Sequence, residues 1–114
     1  MILVSEAVNA LTARGEAATI NAIASQLGID QSGASRFVTA AIDAGYMYLT
    51  NATGDGRRRE VSLTTAGQDA VRQAQAWQEE MFAVLTEGWS ESKCDAFRSA
   101  MNELIVRSEH MDFP

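Results

Sequence analysis

Apolar positions recur at helical spacing through the N-terminal part of the chain, turn strand-like in the middle, and become helical again toward the end. Leu3, Val4, Ala7, Val8 and Leu11 fall three or four apart, the stripe of an amphipathic helix over residues 3–13 that ends near Gly15. Thr19 reads as the N-cap of a short second helix, with Ile20, Ile23, Ala24 and Leu27 as its stripe and Gly28 as its stop. Asp30 then caps a third helix, Gln31 to about Ala44, closed by Gly45. Two short helices split by Gly28-Ile29-Asp30 predict a helix-turn-helix.

The period changes after Gly45. Tyr46 to Thr50 is aromatic and aliphatic, and Glu60 to Thr64 alternates polar with apolar. Between them, Asn51-Ala52-Thr53-Gly54-Asp55-Gly56 is a cluster of turn formers, which predicts a β-hairpin over residues 46–64. A helix capped by Thr64 or Thr65 follows from about Ala66 to Leu85, with Ala70, Val71, Ala74, Trp77, Met81, Phe82 and Leu85 on one broad side. Glu87-Gly88 breaks it, and Ser90 or Ser92 opens a last helix whose stripe is Phe97, Ala100, Met101, Leu104 and Ile105. With no long linker and no repeat, residues 1–114 read as one mainly helical α+β domain. Residues 3–65 form a helix-turn-helix lobe with a two-stranded hairpin as its wing, and residues 66–114 supply two further helices.

Composition narrows the function. The 114 residues are 46% hydrophobic, enough for a packed core. A single cysteine, Cys94, rules out an internal disulfide framework and fits a reducing cytoplasm. The opening residues show no signal-peptide pattern, and no run approaches the roughly 20 apolar residues that span a bilayer, so no membrane association is expected. The net charge is −6, yet residues 65–114 hold nine acids against four bases, whereas residues 19–64 hold four of each. Three of those four bases are consecutive: Arg57, Arg58 and Arg59. An acidic C-terminal half therefore leaves room for a basic contact surface elsewhere.

Two stretches carry candidate chemistry. On the third helix, steps of about 100° place Ala34, Phe37, Val38 and Ala41 on one side. Ser32, Arg36, Thr39 and Asp43 lie opposite, with Gln31 and Ser35 at the N-terminal shoulder. An amide, hydroxyls and a guanidinium at that end suit base edges and phosphates, since Gln pairs with adenine and Arg with guanine or phosphate. As a bland alternative, the same residues serve as an ordinary solvated first turn. The second stretch is the arginine triplet. Strand alternation puts Arg57 and Arg59 on one face and Arg58 on the other, where a wing could follow phosphates or enter a minor groove. Asp55, two residues before Arg57, can fix one guanidinium. Its bland counterpart is a solvated hairpin.

The stretches Asp30-Gln31-Ser32-Gly33-Ala34-Ser35-Arg36, Asp43-Ala44-Gly45-Tyr46 and Asp55-Gly56-Arg57-Arg58-Arg59-Glu60-Val61-Ser62-Leu63-Thr64-Thr65-Ala66-Gly67 together resemble the MarR family of multiple-antibiotic-resistance-type regulators. The similarity runs over about residues 3–105, and the Asp-x-Arg wing followed by Leu-Thr-x-x-Gly is its most specific part. The resemblance implies a winged helix-turn-helix with recognition helix 31–44 and wing 46–64. It implies a homodimer binding palindromic double-stranded DNA, usually as a repressor, with release in many members by a small aromatic or phenolic effector or by oxidation of a cysteine. Gln31, Ser32, Ser35, Arg36 and Thr39 would then face DNA from the helix, and Arg57, Arg58 and Arg59 from the wing, with Asp55 stabilising the wing. The chain departs from the family in its short lead before the first helix, which shifts dimerisation toward residues 89–114. It also lacks a basic residue before the wing, where Tyr46-Met47-Tyr48-Leu49 stands, and has Asn51 where aspartate is common.

Trp77, Met81, Phe82, Trp89, Phe97 and Met101 read as core or dimer interface, or as the lining of an effector pocket. Cys94 reads as inert, and His110 has no companion for a metal site. No cofactor or enzyme activity is expected, because the chain offers no Cys/His cluster, phosphate-binding glycine loop or nucleophile elbow. A competing function is a winged-helix protein-interaction module with little DNA binding of its own.

Overall fold

In the computed structural model, which describes residues 2–51 and 59–111, the chain order is α1 (Ile2–Ala13), α2 (Ile20–Leu27), α3 (Gln31–Asp43), β1 (Met47–Asn51), β2 (Arg59–Leu63), α4 (Thr65–Leu85) and α5 (Glu91–Glu109). The protein is thus mainly helical with one antiparallel hairpin, in which Met47 faces Leu63 and Asn51 faces Arg59. Both strands lie one residue away from the ranges the sequence predicts. No helix among the described residues is long and apolar enough to cross a membrane.

The helix ends follow the chemistry of their caps. Thr19, in extended backbone, accepts a bond from the Ala22 amide at 3.1 Å and starts α2. Gly28 ends that helix at φ 70°, a left-handed conformation that costs glycine little. Thr64 is the cap of α4: its hydroxyl accepts from the Gly67 amide at 3.1 Å and donates to the Gly45 carbonyl at 2.6 Å. The Thr64 amide also donates to the Tyr46 carbonyl at 3.0 Å, so one residue ties the exit of α3 to the entry of α4. Ser90 opens α5 by accepting from the Lys93 amide at 3.1 Å.

The chain forms two compact units, Met1–Trp77 and Gln78–Pro114, with the boundary inside α4. In the first, Val4, Ala7, Val8 and Leu11 of α1 pack with Ala18, Ile23, Ala24, Ala34, Val38, Ala41, Met47 and Val61. The alanines let the helices approach closely around Ile23, which is fully buried. The outer edge of β2 is tied down where the Val61 amide donates to the Ala18 carbonyl at 2.8 Å. Two positions differ from the sequence pattern. Leu3 is 61% exposed because the buried arc of α1 is rotated toward Ser5, which is buried instead. Phe37 is 48% exposed because only the narrow Ala34–Val38–Ala41 line of α3 meets the core.

The second unit is built on aromatic contacts between the end of α4 and α5. Phe82 stacks on Phe97 with ring centroids 5.9 Å apart, and Trp89 meets the edge of Phe97 at 5.9 Å. Cations cover the cluster: Lys93 lies 4.1 Å from the Trp89 ring centre and Arg98 lies 4.1 Å from that of Phe82. Arg98 also makes a two-pronged pair with Glu79, at 3.0 and 2.9 Å. That pair holds the Glu79 carboxyl below, and the Arg98 guanidinium above, their ordinary pKa values. The apolar stripe of α5 does not form an internal core, for the helix buries none of its residues within the chain.

Candidate nucleic-acid interface

The N-terminal half of α3 gathers the residues singled out on that helix. Asp30 accepts from the Gly33 amide at 2.8 Å, which fixes the first turn and the direction in which it points. Gly33 makes this geometry possible, because a Cβ there would sit 2.7 Å from the Asp30 carboxylate. Gln31, Ser32 and Ser35, together with Ile20 of α2, line an open depression of about 420 Å³. Arg36 and Thr39 are exposed on the same helix. The first turn thus offers an amide and two hydroxyls around a concavity, at the positive end of a helix dipole.

The charges sort in a way the sequence alone could not show. Arg14, Arg72, Arg98 and Arg107 each pair with a carboxylate: Glu16, Asp69, Glu79 and Glu103 respectively. Arg36 and Arg59 are exposed and have no carboxylate partner among the described residues. Arg59 opens β2 opposite Asn51. Asp55, Arg57 and Arg58 lie outside the described residues.

The aromatic and methionine positions divide. Phe82, Trp89 and Phe97 touch one another, while Met81 is half-buried and Met101 is exposed on α5. Trp77 is 61% exposed at the end of the first unit. None of the six is buried, so they are not core within one copy of the chain. Cys94 is half-buried, and no group of three metal-ligating side chains occurs among the described residues. Sequence reasoning passed over two residues here. Ile20 was read only as a core position of α2, yet it lines the depression. The helical spacing groups Phe37 with Ala34, Val38 and Ala41, yet it is 48% exposed while those three are buried.

No protein-family model matches the chain, and neither does any curated protein. Solved structures do. MepR, a transcription regulator of the Staphylococcus aureus multidrug efflux pump MepA, aligns with a TM-score of 0.67 and 20% identity over 92% of this chain and 77% of its own. A MepR–DNA complex from S. aureus aligns at 0.66 and 21% identity, over 92% of this chain and 78% of its own. The heme sensor PefR from Streptococcus agalactiae, in complex with heme, aligns at 0.62 and 16% identity, over 90% and 70%. At such identities the likeness shows the fold: with its helices and two-stranded antiparallel hairpin, the chain has the winged-helix fold seen in MepR and PefR.

Proposed function

We propose that the protein is a MarR-family transcription regulator that binds a palindromic DNA operator as a homodimer, acting as a repressor. The observation that carries this reading is an unpaired cation, Arg36, on the same helix as the hydrogen-bonding first turn of α3. Of the arginines described, Arg36 and Arg59 are the ones without a carboxylate, and Arg36 stands beside Gln31, Ser32 and Ser35. An unpaired guanidinium on a helix that also offers neutral donors and acceptors suits a partner with anionic phosphates and hydrogen-bonding base edges. The neighbouring MepR fold has been captured with DNA, which lends the same reading support. Arg57 and Arg58 extend the cationic end of the hairpin in sequence, with Asp55 to steady one of them.

Homodimerisation is supported by α5, where Leu104, Ile105 and Val106 are 50–61% exposed in a single copy. No residue of α5 is buried within its own chain, and a second copy would cover this exposed apolar stripe. Trp77, Met81, Phe82, Trp89, Phe97 and Met101 would serve that interface or receive a small aromatic effector that releases DNA. On this reading the protein binds and does not catalyse, and it works in the cytoplasm.

The test is a fluorescence-anisotropy titration against labelled palindromic duplexes with a random core, at low and at moderate salt. Saturable, salt-sensitive binding with two protomers per duplex is expected. Arg58→Ala should weaken binding to every sequence, while Gln31→Ala should mainly relax base preference. A folded protein that binds no duplex at low salt would overturn the reading in favour of a protein-interaction module, which the net charge of −6 favours.

A further inference from the structure

Besides the depression at α3, the first unit has a recess of about 330 Å³ between α1, the hairpin and the start of α4. Asn9 and Thr12 line it from α1, and Gln68 from the first turn of α4. The hairpin contributes Leu63 and the cross-strand pair Tyr48 and Ser62. None of the six is charged. The Thr12 hydroxyl donates to the Val8 carbonyl at 2.8 Å, which leaves its oxygen open to a donor. The side chains of Asn9, Tyr48, Ser62 and Gln68 have no hydrogen-bond or ring partner among the described residues. Two amides, two hydroxyls and a phenol thus converge on one space beside an apolar wall. A phosphate or carboxylate there would lose water and meet no cation from these walls. An apolar molecule would leave the amides unpaired. A flat, neutral heterocycle meets both conditions. Each amide presents a donor beside an acceptor, the pattern that pairs with a base edge, and Tyr48, 47% exposed, offers its ring as a stacking surface. The volume is near the lower end of the ~300–1,000 Å³ range of small-molecule sites, room for one ring system and little more.

We infer that this recess is a binding site for an uncharged nucleobase or nucleoside. Asn9 and Gln68 take the edge of the ring, Tyr48 its face, and Ser62 and Thr12 the remaining polar atoms. The recess shares no residue with the α3 surface assigned to DNA, so it stands or falls independently of DNA binding.

The test is an NMR titration of the full, nitrogen-15-labelled chain with adenosine, guanosine, cytidine and thymidine, and with their 5′-monophosphates, read at the side-chain amide signals of Asn9 and Gln68. At least one nucleoside should move both signals saturably, with a Kd of about 0.1–1 mM for a ligand of this size, and its monophosphate should bind more weakly. Gln68→Ala should weaken that binding about fivefold, the worth of one neutral hydrogen bond. Tyr48→Leu should weaken it about tenfold through lost stacking. Both positions are exposed, so the circular-dichroism spectrum of each variant should match the wild type. Signals that no nucleoside moves at millimolar concentration would overturn the inference, and tighter binding of the monophosphates would overturn the neutral-ligand assignment. Signals that shift with protein concentration alone, and not with nucleoside, would overturn it in favour of a second copy of the chain covering the recess.

Discussion

Replacing Gly67 with alanine tests the packing of the first unit at its tightest point. In an unencumbered helix, Gly→Ala stabilises by about 1 kcal/mol. Here the added Cβ would lie 2.2 Å from the Tyr46 carbonyl oxygen and 3.2 Å from its carbon. Ordinary carbon–oxygen contacts begin near ~3.3 Å, so something must move by about 1 Å. The obstacle is backbone, and it cannot swing aside freely because the same oxygen accepts the Thr64 amide at 3.0 Å. Overpacking of this kind costs about 1–3 kcal/mol, and a backbone obstacle places it at the upper end. Net destabilisation of about 2 kcal/mol remains after the helical gain, or roughly 10 °C in Tm for a domain of this size. Thermal and urea unfolding followed by circular dichroism measure it. Gly33→Ala is the control, since the one close contact of its Cβ would be the Asp30 carboxylate, a movable group, at 2.7 Å, with the Ile29 side chain at an ordinary 3.6 Å. There a lost cap of about 1 kcal/mol roughly offsets the helical gain. A Gly67→Ala protein as stable as the wild type would refute the reasoning.

Ile23→Ala, at a fully buried position, should cost about 2–5 kcal/mol in urea unfolding, most of it from the cavity left behind. Glu79 has a lowered pKa in the folded protein through its bond to Arg98, so its contribution exists above the ordinary glutamate range and is lost as pH falls through the lowered value. Glu79→Gln should therefore flatten the acid side of a Tm-against-pH curve, by a small amount because the pair lies at the solvent-exposed surface. The salt dependence of DNA binding should be shallow. With Arg36, Arg57, Arg58 and Arg59 from two protomers, the logarithmic slope should not exceed about 7 in magnitude, as read by anisotropy across a salt series.

Local chemistry made most of the fold legible. Thr19, Asp30 and Gly28 announce their helix ends by residue type alone, and the structure places each of them in the expected capping role. The alternation of Glu60 to Thr64 predicted β2, because one face of the strand packs on the core while the other meets solvent. What stayed hidden depends on tertiary distance. How far α3 sinks into the first unit decides whether Phe37 is covered, and that depth is set by alanines on several elements at once. Local arginine pairs such as Asp69–Arg72 and Glu103–Arg107 are readable from their spacing, but Arg98 finds Glu79 on a different helix, and the absence of a carboxylate partner for Arg36 among the described residues shows only in three dimensions. The C-terminal stripe was readable as apolar, but periodicity cannot say whether the surface that covers it comes from the same molecule.

The corner made by Gly45, Tyr46, Thr64 and Gly67 also bears on how such proteins diverge. Thr64 and Gly67 are held by main-chain carbonyls of Gly45 and Tyr46, so selection on them is indifferent to what the hairpin touches. A substitution on the outward side of α3 therefore leaves this corner intact, and a substitution in the corner alters the scaffold without touching that outward side. The corner and the contact surface can thus be changed one at a time.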